Sequence, residues 1–193
     1  MNQEERSICP WVTLTDPVYV AYHDDEWGRP VYDSRELFEK LCLDGQQAGL
    51  SWITILKKKQ GYHDAFYNFD PHKIVKMTEM DVLDLLDNPR IIRNKLKVNS
   101  IIKNAKGFIA MEKEGINFSE FLWSFVGGEP IQNNYVVQGE VPTQNEQSLA
   151  MSKALKKRGF TFVGPTICYA FMEAVGMFNN HLISCDVHKE CVK

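Results

Sequence analysis

Apolar residues recur along this chain at spacings of three and four, which is the period of an amphipathic α-helix. The segments that carry this period lie near 35–48, 51–59, 79–87, 91–113, 119–126, 146–158 and 165–175. Strict alternation, the pattern of a half-buried strand, is scarce. The pattern therefore predicts an all-α fold, interrupted at 127–144 by a connection rich in glycine and proline that could be a lobe boundary or a functional loop.

The first of these helices carries an acid on its apolar face. Asp33 or Ser34 can cap the helix, and its apolar stripe runs through positions 37, 41, 44 and 48, of which position 44 is Asp44. Burial raises the pKa of a carboxyl group or demands a partner. Asp44 is therefore either a satisfied structural group or part of a binding or catalytic site.

Length and composition describe an ordinary globular protein. The chain has 193 residues, 44% of them hydrophobic, which suits one domain or two small lobes. The first seven residues lack the features of a signal peptide, and no apolar run is long enough to span a bilayer, so we expect a cytoplasmic protein with no membrane partner. The five cysteines argue against a disulfide framework and leave metal ligation or burial open.

The charges are unevenly placed although the net charge is only −3. Basic residues gather at 57–59, 90–97 and 153–158, and acids gather at 24–26 and 79–87. The net charge alone would argue against a nucleic-acid partner, but a local basic surface can still bind phosphates. Solvated helix faces explain each cluster equally well.

Residues 153–172 read as a basic helix, a tight hairpin bracketed by Gly159 and Gly164, and a second helix that begins at Pro165. In such a helix-hairpin-helix arrangement, free backbone N–H groups can point at a phosphate, and the helix dipole favours the contact. An ordinary helical corner would show the same glycines and proline. The pattern thus indicates DNA binding without sequence readout only in combination with other features.

Both ends of the chain carry residues that could bind a metal: Cys9, His23, His181 and Cys185. The last two are four residues apart, a spacing that lets both face one ion. Two cysteines and two histidines favour zinc, and four protein ligands would leave no open position, so the site would be structural. His188 or Cys191 could replace either carboxyl-terminal ligand, and burial alone could explain Cys9 and His23.

Aromatic residues crowd the amino-terminal region, joined at a distance by one tryptophan: Trp11, Tyr19, Tyr22, Trp27 and Trp52. Enzymes that act on nucleobases hold an extruded base by stacking on such rings. Leu50, between Gly49 and Ser51, could fill the gap that the base leaves in the duplex. Core packing is the alternative explanation for each of these residues.

Four motifs together are more specific than any one of them: Tyr-His-Asp-Asp-Glu-Trp-Gly at 22–28, Gly-Gln-Gln-Ala-Gly-Leu-Ser-Trp at 45–52, Phe-Leu-Trp-Ser-Phe-Val at 121–126, and Lys-Lys-Arg-Gly-Phe-Thr-Phe-Val-Gly-Pro-Thr at 156–166. With them the chain, from Cys9 to Cys185, resembles the bacterial 3-methyladenine DNA glycosylase I family. The resemblance implies an all-α, two-lobed helix-hairpin-helix glycosylase in which a structural zinc joins the amino- and carboxyl-terminal segments.

The resemblance also implies the reaction. Such an enzyme flips 3-methyladenine out of alkylated double-stranded DNA, hydrolyses its N-glycosidic bond and releases free 3-methyladenine. We expect residues 1–193 to form one unit that acts as a monomer, with the helix-hairpin-helix motif at about 149–175 and the zinc-binding lobe built from both chain ends.

Site roles follow from the resemblance residue by residue. The zinc ligands fall on Cys9, His23, His181 and Cys185, and the catalytic pair on Asp44 and Tyr22. The base-binding residues fall on Trp52, Trp11 and Tyr19. The residues that contact DNA fall on Leu50, Gly159, Phe160, Val163, Gly164 and Thr166. The family's pocket carboxylate resembles a glutamate, and Asp44 is one methylene shorter, so a bridging water or a shifted helix would be needed to reach the base.

Related helix-hairpin-helix glycosylases place a catalytic aspartate shortly after the motif, where this chain has Asn179 and Asn180. N3-methylation already puts a positive charge on the purine and makes it a good leaving group, so a strong acid is less necessary. Two rival interpretations remain open: a non-catalytic damage-binding module, and a small zinc hydrolase whose metal has three protein ligands and one open position.

Overall fold

A computed structural model describes residues 6–191 of the chain and confirms a mostly helical architecture. The helices are α1 (Pro17–Asp25), α2 (Ser34–Gln47), α3 (Trp52–Leu56), α4 (Lys59–Ala65), α5 (Pro71–Ile74), α6 (Glu79–Leu86), α7 (Lys95–Lys113), α8 (Phe118–Trp123), α9 (Glu146–Lys157) and α10 (Pro165–Ala174). Short 3₁₀ turns lie at Tyr67–Phe69, Ser124–Val126, Gln138–Glu140 and His188–Cys191. The prediction that the chain lacks a signal peptide rests largely on residues 1–5, which lie outside the described residues.

Helix α2 is the centre of the fold. It begins where the Asp33 carboxylate accepts hydrogen bonds from the backbone N–H groups of Arg35 and Glu36, at 2.9 and 3.0 Å. The helix packs against α3, α7 and α10. Its residues from Leu41 to Gln46 are all buried, so the side chains that it presents to a site are held rigidly.

Three helices were missed by the apolar period. Helix α1 starts with Asp16 as cap and Pro17 in its first turn, but it buries only Tyr22 and His23, so no aliphatic stripe marks it. Helices α4 and α5 are too short for the period to show. Conversely, the predicted helix at 91–113 begins only at Lys95, because the Asn94 side chain caps it.

The all-α prediction needs one correction, because two strands form a small parallel sheet. Strand β1 (Ile131–Gln132) pairs with β2 (Phe178–Asn179), with Ile131 opposite Phe178. Two residues are too few to produce an alternating pattern, so no hydrophobic pattern indicates these strands. The sheet fixes the connection at 127–144 to the segment that follows α10.

Helix α9, the segment 158–164 and helix α10 follow one another in the predicted order, and α9 begins at Glu146, as the apolar period of 146–158 indicates. The buried Asn104 side chain holds the hairpin, since its Oδ1 accepts from the N–H of Thr161 at 2.8 Å and its Nδ2 donates to the Thr161 carbonyl at 3.2 Å. Phe160 and Val163 are buried. Their side chains therefore anchor the hairpin, and they can offer DNA only their backbone.

Apolar side chains form two clusters. The larger one draws on α2 to α10, and the smaller one unites the two chain ends through Cys9, Leu182, Cys185, Val187 and Cys191. Within residues 6–191, no helix combines the length and the apolar character that crossing a membrane requires.

Lys97 belonged to a predicted basic cluster, yet it is buried and caps α2. Its Nζ donates to the carbonyls of Gln46 and Ala48, each at 2.7 Å. In return, the Gln46 side chain donates to the Lys97 carbonyl at 3.0 Å. The lysine thus satisfies carbonyl groups that the end of α2 leaves free, directly before the Gly49–Ser51 loop.

We expect Lys97→Met to lower the free energy of unfolding by about 2–3 kcal/mol, because two charged hydrogen bonds to buried carbonyls are lost. Urea unfolding followed by circular dichroism measures the change. Lys95→Met, an exposed position on the same helix, is the control and should shift stability by less than about 0.5 kcal/mol. Equal stability of Lys97→Met and the parent chain would show that the cap contributes nothing.

Candidate functional site

A cavity of about 220 Å³ opens where α1, α2, α3 and α10 meet. Its lining includes Trp11, Tyr19, Tyr22, Asp44, Trp52 and Glu173. All five residues predicted to surround a base therefore lie around one cavity, together with an acid that the sequence reasoning missed. Aromatic walls with a few polar groups are the usual composition of a small-molecule site.

The aromatic walls come from two directions. Tyr22 of α1 faces Trp52 of α3, with ring centroids 5.4 Å apart, and Trp11 lies 5.3 Å from Tyr19. Tyr22 is buried, and burial raises the pKa of its hydroxyl well above the ordinary value, so the group stays neutral. The Trp52 indole N–H is buried without a partner among the described residues, which leaves one donor available in the wall.

Asp44 is only 2% exposed, and its carboxyl group is half satisfied. Oδ1 accepts from Lys40 Nζ at 2.5 Å, whereas Oδ2 has no partner among the described residues. Burial raises the pKa of this carboxyl, and the lysine opposes that rise. Asp44 is thus neither fully satisfied nor isolated, because one of its oxygens has no partner and the residue lines the cavity.

Lys40 is the second residue that the sequence reasoning missed. Its ammonium lies 3.8 Å from the centroid of the Trp52 ring and 6.0 Å from that of Tyr22, a cation–π arrangement. Burial lowers the pKa of this lysine. The sequence does contain one indication of this role: Lys40 precedes Asp44 by four residues on the same helix, and side chains at that spacing lie next to each other.

Glu173 brings a second acid to the cavity from α10. Burial raises its pKa to about 7, and the proximity of Asp44 adds to the rise, while a 2.8 Å hydrogen bond from Asn180 Nδ2 opposes it. Glu173 is the one acid in the apolar segment 165–175, and an acid in such a segment indicates a buried polar group. At neutral pH the group is divided between its charged and neutral forms.

Asn179 and Asn180, where the resemblance implied an acid in related glycosylases, are both buried in hydrogen-bond networks. Asn179 Nδ2 donates to Gln132 Oε1 at 2.9 Å and to the His188 carbonyl at 3.0 Å. Asn180 Nδ2 also donates to the hydroxyl of Tyr169 at 2.9 Å. These amides therefore position neighbouring groups, among them Glu173, and carry no exchangeable proton of catalytic strength.

Leu50 lies on the surface between α2 and α3. It is 39% exposed, and the preceding Gly49 has a φ of +75°, a left-handed conformation that favours glycine. The backbone therefore turns sharply after α2 and presents the leucine outward, close in sequence to Trp52. This exposure argues against the alternative in which Leu50 is a simple core residue.

The four predicted metal ligands meet in one buried cluster, with all ligand atoms within 4.8 Å of one another. Cys185 Sγ lies 3.6 Å from His181 Nδ1 and 3.5 Å from His23 Nε2, and Cys9 Sγ lies 3.7 Å from His181 Nδ1. Tetrahedral zinc with Zn–S of about 2.3 Å and Zn–N of about 2.1 Å separates sulfur from nitrogen by about 3.6 Å. The donor set and its spacing therefore fit zinc.

The surroundings of the cluster also suit a metal. His23 Nδ1 bonds to the Asp24 carboxylate at 2.8 Å, and His181 Nε2 bonds to the Trp27 carbonyl at 3.0 Å, so each ring has its second nitrogen held. The Cys9 thiol and the two histidines lower the pKa of Cys185, which favours the thiolate that binds metal. His188 and Cys191, the alternative ligands, lie outside the four-residue cluster.

The hairpin presents backbone donors rather than side chains. Within the described residues, the N–H groups of Val163, Gly164, Thr166 and Ile167 make no hydrogen bond to protein. They lie at the amino terminus of α10, where the helix dipole is positive, and Thr166 is exposed. This arrangement can bind an anion such as a phosphate.

Comparisons with known proteins agree with this geometry. A family model described as Methyladenine glycosylase matches residues 11–189. The chain is 55% identical over 177 residues to DNA-3-methyladenine glycosylase of Haemophilus influenzae, covering 92% of this chain and 95% of that protein.

Solved structures are similar over almost the same length. A crystal structure of 3-methyladenine DNA glycosylase I matches with a TM-score of 0.93 at 52% identity, covering 94% of this chain and 100% of that one. The structure that describes 3-methyladenine recognition by 3-methyladenine DNA glycosylase I from Staphylococcus aureus matches with a TM-score of 0.87 at 43% identity, covering 89% and 91% of the two chains.

The raised pKa of Glu173 predicts a pH-dependent stability. Between the unfolded value of 4.5 and about 7, the folded chain holds a proton that the unfolded chain has lost, so this group costs stability as pH rises. We expect Glu173→Gln to raise the free energy of unfolding by about 1–3 kcal/mol above pH 8 and to change it little below pH 4.5. Thermal unfolding across this range, with Glu146→Gln as the surface control, measures the difference. A stability difference between Glu173→Gln and the parent chain that is the same at every pH would contradict the raised pKa of Glu173.

Proposed function

The chain belongs to the methyladenine glycosylase family, and from this membership we propose that the cavity between Trp52, Tyr22 and Asp44 binds the damaged base. The chain hydrolyses the N-glycosidic bond of 3-methyladenine in alkylated DNA, the first step of base-excision repair. The rival binding module without turnover is thereby excluded. The observation that carries the site assignment is the buried, half-satisfied carboxyl of Asp44 beside an aromatic wall.

The reaction needs little acid chemistry from the protein. The methylated nucleotide is a cation, so breaking the bond between N9 and the sugar returns an electron pair to the base and cancels its charge. A water supplies the oxygen that replaces the base on the sugar carbon. The chain's own contributions are extrusion, stacking and a negative environment for the cation, which agrees with asparagines at 179 and 180.

Each cavity residue has a proposed role. Trp52 stacks on the base, and Trp11 and Tyr19 close the aromatic wall around it. Tyr22, held neutral by burial, donates or accepts a hydrogen bond at the base edge. Asp44 Oδ2 faces the cation directly or through a water, and its charge favours the alkylated base over neutral adenine.

DNA contact is proposed for the hairpin and for Leu50. The free N–H groups at Val163, Gly164 and Thr166 suit one phosphate, and the left-handed Gly159 and buried Phe160 shape the turn that presents them. Leu50 enters the space that the extruded base leaves in double-stranded DNA. Action as a monomer stays a prediction.

We also propose that the cysteine–histidine cluster binds a structural zinc. Cys9 and His23 come from one end of the chain and His181 and Cys185 from the other, so the ion would join both segments into one lobe of a two-lobed, helix-hairpin-helix unit. Four ligands leave no open position, which argues against the rival zinc hydrolase. The zinc would stabilise the fold and take no part in the reaction.

Asp44→Asn is expected to lower kcat/KM for 3-methyladenine release from methylated duplex DNA by about 10- to 100-fold, because the amide keeps the shape but loses the charge. Release of labelled base measures the effect. Asp84→Asn, an exposed acid on α6, should leave activity unchanged, and Asp44→Glu should retain most of it. Full activity of Asp44→Asn in a folded protein would place Asp44 among the structural residues.

Elemental analysis of the purified chain is expected to find about one zinc per molecule. Cys185→Ser should lose the metal and lower the melting temperature, whereas Cys191→Ser, a buried thiol of the same apolar cluster, should keep the metal. A chain that stays metal-free after refolding with zinc, or that keeps zinc without Cys185, contradicts the ligand set.

A further inference from the structure

The ammonium of Lys40 lies over the Trp52 ring, on which the proposed function stacks the base. It lies 3.8 Å from the Trp52 ring centroid and pairs with Asp44 Oδ1 at 2.5 Å. A flat base that stacks on Trp52 and bonds to Asp44 would lie at about the same distances from these two groups as the Lys40 ammonium does. The base and the ammonium would therefore compete for one position. The free protein therefore places a cation of its own in the position proposed for the cationic base.

Displacing the ammonium has a different cost for different ligands. A neutral base that displaces Lys40 breaks the Lys40–Asp44 ion pair and the contact between the ammonium and Trp52. It brings no positive charge of its own, so the Asp44 carboxylate is left without a counter-charge. A cationic base replaces both interactions, since its own charge faces the carboxylate and its own face covers the indole. Competition with Lys40 therefore penalises neutral bases more than the charged lesion.

Lys40 has a second place to go. Its side chain also lines a neighbouring cavity of about 370 Å³ on the other side of Trp52 and Tyr22. That cavity includes Glu36, which lies four residues before Lys40 on α2, the favourable order for a helical ion pair. Glu39, on the same side, is already engaged by His63 at 2.7 Å. Glu36 is thus an acid toward which the displaced ammonium can turn.

We propose that Lys40 is a specificity-determining residue, a built-in cation that the charged lesion displaces and that returns once the base has become neutral. The inference rests on the proposed function of the cavity. During cleavage the N9–sugar bond breaks and its electron pair stays on the base, which loses its positive charge. Water adds to the sugar carbon and releases one proton to solvent. The product no longer compensates Asp44, so Lys40 recovers its two contacts and drives the base out.

The test uses Lys40→Met, which keeps an unbranched side chain and removes the charge. We expect this variant to bind free 3-methyladenine at least about tenfold more tightly at mildly alkaline pH, where the free base is neutral. Tryptophan fluorescence titration and product inhibition of the glycosylase assay both measure this. Single-turnover cleavage at subsaturating enzyme should be faster, because the lesion no longer has to displace the ammonium, while multiple turnover becomes slower because release of the base is delayed.

Two further variants separate charge from packing. Lys40→Arg keeps the cation and should behave like the parent chain, and Lys73→Met removes an exposed lysine far along the chain and should change nothing. Product binding by Lys40→Met that is unchanged or weaker would overturn the inference. If the parent chain itself fails to bind or release 3-methyladenine, the proposed function fails instead, so the two outcomes are distinguishable.

Discussion

A carboxyl group inside an apolar helix interface can exist only with partners, and α2 carries such a group at Asp44. The side chain cannot turn to solvent, because α3, α7 and α10 pack around the helix. Lys40 satisfies one oxygen, and the other is buried without a partner among the described residues, at a residue that lines the cavity. A base that fills the space between the aromatic walls displaces water from it, which strengthens any charge interaction with that base. Under the proposed function, recognition of a cation would follow from this arrangement of two acids, one displaceable lysine and aromatic rings.

The cysteine–histidine cluster and the cavity are connected through residues that are adjacent in the chain. Tyr22 lines the cavity, and the next residue, His23, belongs to the cluster. Trp11 lines the cavity as well and lies 5.3 Å from the His23 ring. On the other side, Asn180 holds Glu173 in the cavity, and the next residue, His181, belongs to the cluster. An ion that fixes His23 and His181 would therefore also fix the walls of the base site.

The sequence alone located Asp44, the aromatic residues and the four clustered ligands, because each belongs to a motif or to a strong helical period. It missed Lys40 and Glu173, since their roles depend on which charged groups the packed helices bring together. It missed α1, whose buried face consists of Tyr22 and His23 rather than aliphatic residues. The burial of Lys97 was also invisible, because a lysine among basic neighbours looks like a solvated one until its partner carbonyls are known.

The shortness of Asp44 is consistent with the lysine beside it. An aspartate keeps its carboxyl close to the α2 backbone, where a lysine one turn earlier can reach it while its ammonium still lies over Trp52. A glutamate would carry the charge further into the cavity and leave less room for the ammonium. The shorter side chain of Asp44 leaves a space between its carboxylate and the Trp52 ring. The Lys40 ammonium fills this space in the free protein, and a charged base can fill the same space. Under the proposed function, this cavity discriminates between bases by their charge more than by their shape.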